Sequence, residues 1–199
     1  MGNTLMIGSC ESFSGKSAFV LGLARKLIVA NEKIRFGKPL ATSLELDLNG
    51  ANSSSNKPLI DDDVRFIGET LGLQEDQLIP SINYLDASTA DQRLKDACLG
   101  GGKDLEGLRK TLNASFEGLN ILEAAGSLHE GLLYGLSLGQ LARGLEAKVI
   151  LVHLWQDSCS VDALLAAKEQ LGEHLVGIVL NAVTPNDVKA LESTVVPAL

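Results

Sequence analysis

The chain is short of several things, and each shortage closes a class of function. None of its apolar runs approaches the roughly 18 residues a membrane-crossing helix needs, so no membrane partner is expected. Positive charge is scarce: Lys and Arg total 17 against 25 Asp and Glu, a net charge of −8. With no basic face evident, no nucleic-acid partner is expected either. Cysteine is limited to Cys10, Cys98 and Cys159. An odd, widely spaced set fits neither a disulfide framework nor a metal motif, and it points to reduced thiols in a cytoplasmic protein. The first residues carry no charged-then-apolar leader pattern. The histidines, His129, His153 and His174, suggest no Ser-His-Asp arrangement. His153, beside a strand end, is the only one with a reading near a site, against the commoner reading of a structural histidine.

What the chain does have is apolar residues, 45% of the total, enough for a substantial core. They fall in short runs at Thr4–Ile7, Ile34–Gly37, Asn120–Glu123, Lys148–Val152 and Val176–Leu180, as expected of strands buried on both faces of a parallel sheet. Helical spacing fills the intervals at Ser17–Val29, Asp61–Leu71, Leu105–Phe116, Gly135–Leu145, Val161–Leu171 and Asn186–Val195. The alternation predicts an α/β three-layer sandwich with a mostly parallel sheet, as one domain over residues 1–199, and Gly15-Lys16-Ser17 after the first strand makes the expected sandwich one of the P-loop NTPase type. The stretch Asp47–Pro58, rich in Asn, Ser and Gly, reads as a mobile loop, and Gly100-Gly101-Gly102 as a break. Beyond Val195 the alternation would accommodate one more crossover strand, so a cut before that strand and before a C-terminal module is expected.

The segment after the first strand, Ser9-Cys-Glu-Ser-Phe-Ser-Gly-Lys-Ser17, carries the chemistry. Gly15-Lys16-Ser17 is the working end of a phosphate-binding loop. Backbone N–H groups and the helix N-terminus attract phosphate, the lysine reaches its outer oxygens, and the serine hydroxyl suits Mg²⁺. The spacing is unusual, because Cys10 stands where a glycine is normally six residues ahead of the lysine. A plain glycine turn with an exposed lysine is the bland alternative.

Ligands of such a sheet sit beyond the carboxyl ends of its strands, so the residues there are the further candidates. Lys38, before Pro39, is either a second phosphate lysine or a surface lysine. Glu123 is either a Mg²⁺ partner or a capping carboxylate, since ending a buried strand on a carboxylate is costly unless it is paired. Asp61, Asp62 and Asp63 are either helix-start charge or a further metal source. Asn181 offers both a donor and an acceptor to a nucleobase edge, or else starts a turn.

Four segments together resemble a family. Gly8–Ser17, Gly37-Lys-Pro-Leu-Ala-Thr42, Glu123-Ala-Ala-Gly126 and Gly177–Pro185 look like the four motifs of dethiobiotin synthetase, in order and across nearly the whole chain. The likeness is closer still to the synthetase-like N-terminal domain of phosphotransacetylase-related, DRTGG-containing proteins, through Asp61-Asp-Asp-Val64 and Val161-Asp-Ala-Leu-Leu165. The resemblance implies ATP and Mg²⁺ as cofactors. It implies phosphate binding by Ser12, Ser14, Gly15, Lys16, Ser17 and Lys38, with Lys16 and Lys38 as the catalytic pair. It further implies Thr42 at a substrate site, Mg²⁺ held by Ser17, Asp63 and Glu123, and Asn181 facing the base. A homodimer and a C-terminal regulatory domain are implied partners.

The departures are Phe13, where the synthetase has a carboxylate, Ser9, where it has glycine, and Gln156-Asp157-Ser158, which lacks a substrate-binding cation. The leading expectation is therefore a Mg²⁺-dependent ATP-binding domain that regulates or scaffolds a larger protein. The alternatives are an ATP-dependent carboxylate-activating ligase or amidase of the dethiobiotin or cobyrinate synthase type, and an interaction module with a vestigial nucleotide site.

Overall fold

The computed structural model describes residues 3–43, 58–99, 102–113 and 116–199. The loop expected over 47–58, apart from Pro58, and the break at Gly100-Gly101 lie outside these residues. In chain order the strands are β1 (Thr4–Gly8), β2 (Ile34–Gly37), β3 (Leu40–Ala41), β4 (Leu78–Ile79), β5 (Asn83–Tyr84), β6 (Leu119–Glu123), β7 (Lys148–Leu154) and β8 (Leu175–Asn181). The helices are α1 (Lys16–Val29), α2 (Asp62–Leu71), α3 (Ala87–Lys95), α4 (Gly102–Asn113), α5 (Leu138–Leu145), α6 (Ser160–Leu171) and α7 (Val188–Thr194).

Six strands form one sheet in the order β4-β2-β6-β1-β7-β8. Every pairing in it is parallel. Successive side chains of a strand point to opposite faces, and both faces here are apolar. Met6, Leu122, Val149 and Leu151 pack on one side with Leu108 and Leu112 of α4, Leu138 and Leu141 of α5, and Ala167 and Leu171 of α6. Ile7, Phe36, Ile121 and Val152 pack on the other with Val20 and Ala24 of α1 and Val64 and Ile67 of α2. The result is the expected three-layer α/β sandwich. Phe36, fully buried, contributes about 1.5–3 kcal/mol by leaving water.

The five long sheet strands match the expected ones to within two residues at each end. Three two-residue strands were not expected. β4 extends the main sheet beside β2, while β3 and β5 pair in parallel as a separate ribbon, Leu40 with Asn83 and Ala41 with Tyr84. The helix α3 was also missed. Its residues include no buried side chain, so no apolar stripe announces it. Instead Asp86 caps it, accepting from the amides of Ser88 and Thr89 at 2.8 and 3.0 Å.

α4 begins three residues ahead of the expected start. Arg35, on the α4 face of β2, anchors its end by donating to Leu112 O at 3.1 Å and Asn120 Oδ1 at 2.9 Å, with its guanidinium 4.4 Å from the Phe116 ring centre. Among the described residues no helix is long and apolar enough to cross a membrane.

Candidate functional site

The same alternation that builds the core delivers two charged side chains to one place. Glu123 follows Ile121 by two residues on β6, so it shares the face covered by α1. Lys38 follows Phe36 by two and lies on that face as well. Both are buried, and both open into the cleft where β1 turns into α1.

The turn, residues 9–15, is held in an uncommon conformation. Phe13 has φ 60° and Gly15 φ 91°, both left-handed. Glycine suits the second position. Phe13 is a bulky residue in a region that disfavours it, and it is 97% exposed. The Ser9 hydroxyl is within bonding reach of two carbonyls, Glu11 O at 2.6 Å and Gly126 O at 2.8 Å. Lys16, the first residue of α1, reaches back to donate to Ser9 Oγ at 2.9 Å and Gly126 O at 2.8 Å. Burial pulls the Lys16 ammonium below its usual range, and Glu123 opposes that shift.

Behind the lysine, Ser17 Oγ donates to Glu123 Oε1 at 3.0 Å. Glu123 Oε2 is buried and has no hydrogen-bond partner. Burial raises the Glu123 carboxyl above its ordinary range, against the pull of Lys38 and Lys16.

Across the cleft, Lys38 donates to Thr42 Oγ1 at 2.5 Å and pairs with Asp63 at 3.0 Å and Asp61 at 3.3 Å. Burial works to lower its pKa, but Asp61 and Asp63 together outweigh it, raise the pKa and hold Lys38 charged. Asp61, fully buried, also accepts from the amides of Thr42 at 2.7 Å, Ser43 at 3.1 Å and Asp63 at 2.9 Å. It is the N-cap of α2 and ties that helix to the segment after β3.

Ser12, Ser14, Gly15, Lys16, Ser17, Lys38, Thr42, Asp63 and Glu123 line one cleft of about 490 Å³. Asn181 is not among the lining residues. Its Nδ2 donates to the Ser14 carbonyl at 2.9 Å, so its side chain meets the backbone of the turn. Two residues at the site have roles that the sequence pattern does not mark, Ser9 beneath the turn and Glu130 in the cleft. Ser9, noted only as a departure, grips the lysine. Glu130 lines the cleft and accepts a close hydrogen bond from the Gly126 amide, a role visible only once the turn after β6 brings the two together. His153 is buried with both ring nitrogens unpartnered, and burial lowers its pKa, favouring the neutral ring. Cys10 sits against Ala163 O at 3.5 Å, and burial with the nearby Glu11 pushes its thiol up to about 11, which disfavours the thiolate. Among the described residues no cluster of His, Cys, Asp and Glu forms a separate metal centre.

A parallel sheet, a turn between its central strand and a helix, a lysine and a serine opening that helix, and a buried carboxylate on the neighbouring strand define the P-loop nucleotide-binding class. Within that class the chain belongs to the AAA domain family, whose model matches residues 3–196. Solved structures share the fold at low identity. The kinase domain of Escherichia coli tyrosine kinase ETK is 16% identical with a TM-score of 0.53, covering 92% of this chain and 68% of that one. The signal recognition particle receptor FtsY from Elizabethkingia anophelis, in complex with GDP, is 13% identical with a TM-score of 0.50. That match covers 92% of this chain, which spans about half of the receptor's, 51%.

Proposed function

We propose that the domain binds a magnesium–nucleoside triphosphate, ATP, and that it does so as a regulatory or scaffolding unit of a larger, cytoplasmic phosphotransacetylase-related protein. The observation that carries the binding is Glu123, with one oxygen on Ser17 and the other buried without a partner. A buried carboxylate left this way costs several kcal/mol, and a bound cation relieves that cost. The nearby donors are hydroxyl and carboxylate oxygens from Ser17, Glu123 and Asp63, a set suited to a hard ion such as Mg²⁺. When bound, Mg²⁺ supplies positive charge against the phosphate oxygens.

The chain's own residues do the rest. Ser12, Ser14 and Gly15 present the turn. Lys16 exchanges its bonds to Ser9 and Gly126 for phosphate oxygens, and the N-terminus of α1 adds partial positive charge. Lys38, held charged by its two aspartates, faces the outer phosphate with Thr42 beyond it.

A second reading draws on the reach of the cleft past the turn to Thr42 and Glu130. That room would admit an acceptor for an ATP-dependent carboxylate-activating ligase, with Lys16 and Lys38 neutralising charge on the transferred phosphoryl group. ADP release that depends on added diaminopelargonate and bicarbonate would favour it.

The test of the binding is a melting scan with Mg²⁺ and ATP, ADP, GTP or CTP. Ligand at about 100 times its dissociation constant stabilises by about 2.7 kcal/mol. For a domain of this size that raises the melting temperature by about 5–10 °C. No shift with any nucleotide overturns the proposal in favour of a vestigial site.

A further inference from the structure

Asn181 is the last residue of β8, an edge strand of the sheet, yet its side chain ends on the phosphate-binding turn. We propose that Asn181 is a positioning residue that braces the P-loop, rather than a reader of the base. Both ends of its amide are engaged. Oδ1 accepts from the Ala182 amide at 2.9 Å, which fixes the orientation of the group, and Nδ2 donates to Ser14 O at 2.9 Å. The Asn181 carbonyl accepts from the Trp155 amide at 2.9 Å, so the backbone beneath is held as well.

The contact with the turn is close. A Cβ on Gly15 would lie 2.3 Å from Asn181 Nδ2, so the amide occupies the space that any other residue would need. The consequence follows from peptide geometry. No described peptide bond is cis, and in a trans peptide the C=O and the following N–H point opposite ways. Holding Ser14 C=O toward Asn181 therefore turns the Gly15 N–H away from it, and Gly15 lines the cleft. The brace also secures a turn that contains left-handed φ at Phe13 and Gly15, a conformation that persists only where its surroundings over-determine it.

The test uses a ligand without a base, and its binding arm rests on the nucleotide-binding reading above. Dissociation constants of Mg²⁺·ATP and Mg²⁺·tripolyphosphate are measured by calorimetry for wild type, Asn181→Asp and Asn181→Ala. Asn181→Asp keeps the acceptor for Ala182 and loses the donor to Ser14. A brace predicts that both variants weaken both ligands by the same factor, about tenfold for one hydrogen bond. Loss of ATP affinity with tripolyphosphate unchanged would identify a base reader and overturn the proposal, as would no change for either ligand.

Amide hydrogen exchange of the ligand-free protein, read with the melting temperature, supplies a second arm that needs no ligand. Faster exchange over residues 11–17 in both variants, with β1 and β7 unchanged, supports the brace, and unchanged exchange in the turn overturns it. If wild type binds neither ligand, the nucleotide reading fails and the exchange arm still decides the brace.

Discussion

Lys16 and Lys38 lie in the same cleft, yet their acidity constants move in opposite directions. Both are penalised by burial, and only Lys38 has two aspartates close enough to reverse the effect. Asp61 is thus a structural partner of a site lysine. Removing one member of a buried ion pair leaves the other uncompensated, so Asp61→Ala is expected to destabilise the fold by about 3–5 kcal/mol in urea unfolding. A cost under about 1 kcal/mol would show that Asp63 alone satisfies Lys38.

Asp86 is a simpler case. Hydrogen bonds from Ser88 and Thr89 lower its carboxyl from 3.8 to about 2. A depressed carboxyl contributes stability that is present above its unfolded value of 3.8 and lost as pH falls toward 2. In Asp86→Asn that loss is absent, so the variant's stability declines less than that of wild type between these limits, as acid titration of unfolding will read. At this scale the charged strand ends were legible, because a charge closing an apolar run stands out. Asp61 as keystone, Ser9 as lysine holder and Glu130 were not, because each acts on backbone or side chains that only the fold brings near.

Among elements, legibility followed burial. The five long strands and α1, α2, α4, α5, α6 and α7 have apolar patterns that mark them. The ribbon β3–β5 has strands too short for a period, and α3 floats on its cap, with Tyr134 Oη donating to Asp86 O at 3.2 Å. α5 was expected to open at Gly135, but Ser137 and Gln140 form a capping box, and the helix starts at Leu138.

The pairing of β2 with β4 was likewise unmarked in the sequence and depends on a missing side chain. A Cβ on Gly37 would stand 2.6 Å from both Ile79 Cβ and Ile79 O. One contact is with backbone, so relief requires the strands to part. Gly37→Ala is expected to cost about 1–3 kcal/mol by overpacking, with hydrogen-exchange protection lost first at residues 78 and 79. Retained stability and protection would show that the edge pairing is soft.

Over the whole molecule, two apolar layers clamp a parallel sheet whose carboxyl end gathers the turn, two lysines and the acidic groups of Asp61, Asp63 and Glu123. The fold class was legible because strand and helix patterns alternate along the chain. Of the function, the P-loop nucleotide-binding class was legible, because the turn has a local signature. We propose that this end binds a magnesium–nucleoside triphosphate through Lys16 and Glu123. The most direct test is calorimetric titration of ATP into wild type, Lys16→Ala and Glu123→Gln, each with Mg²⁺ and with EDTA. The prediction is Mg²⁺-dependent binding to wild type, none to Lys16→Ala, and weakened binding to Glu123→Gln with little dependence on Mg²⁺. Equal affinity in all three proteins, or no heat from wild type, would contradict it.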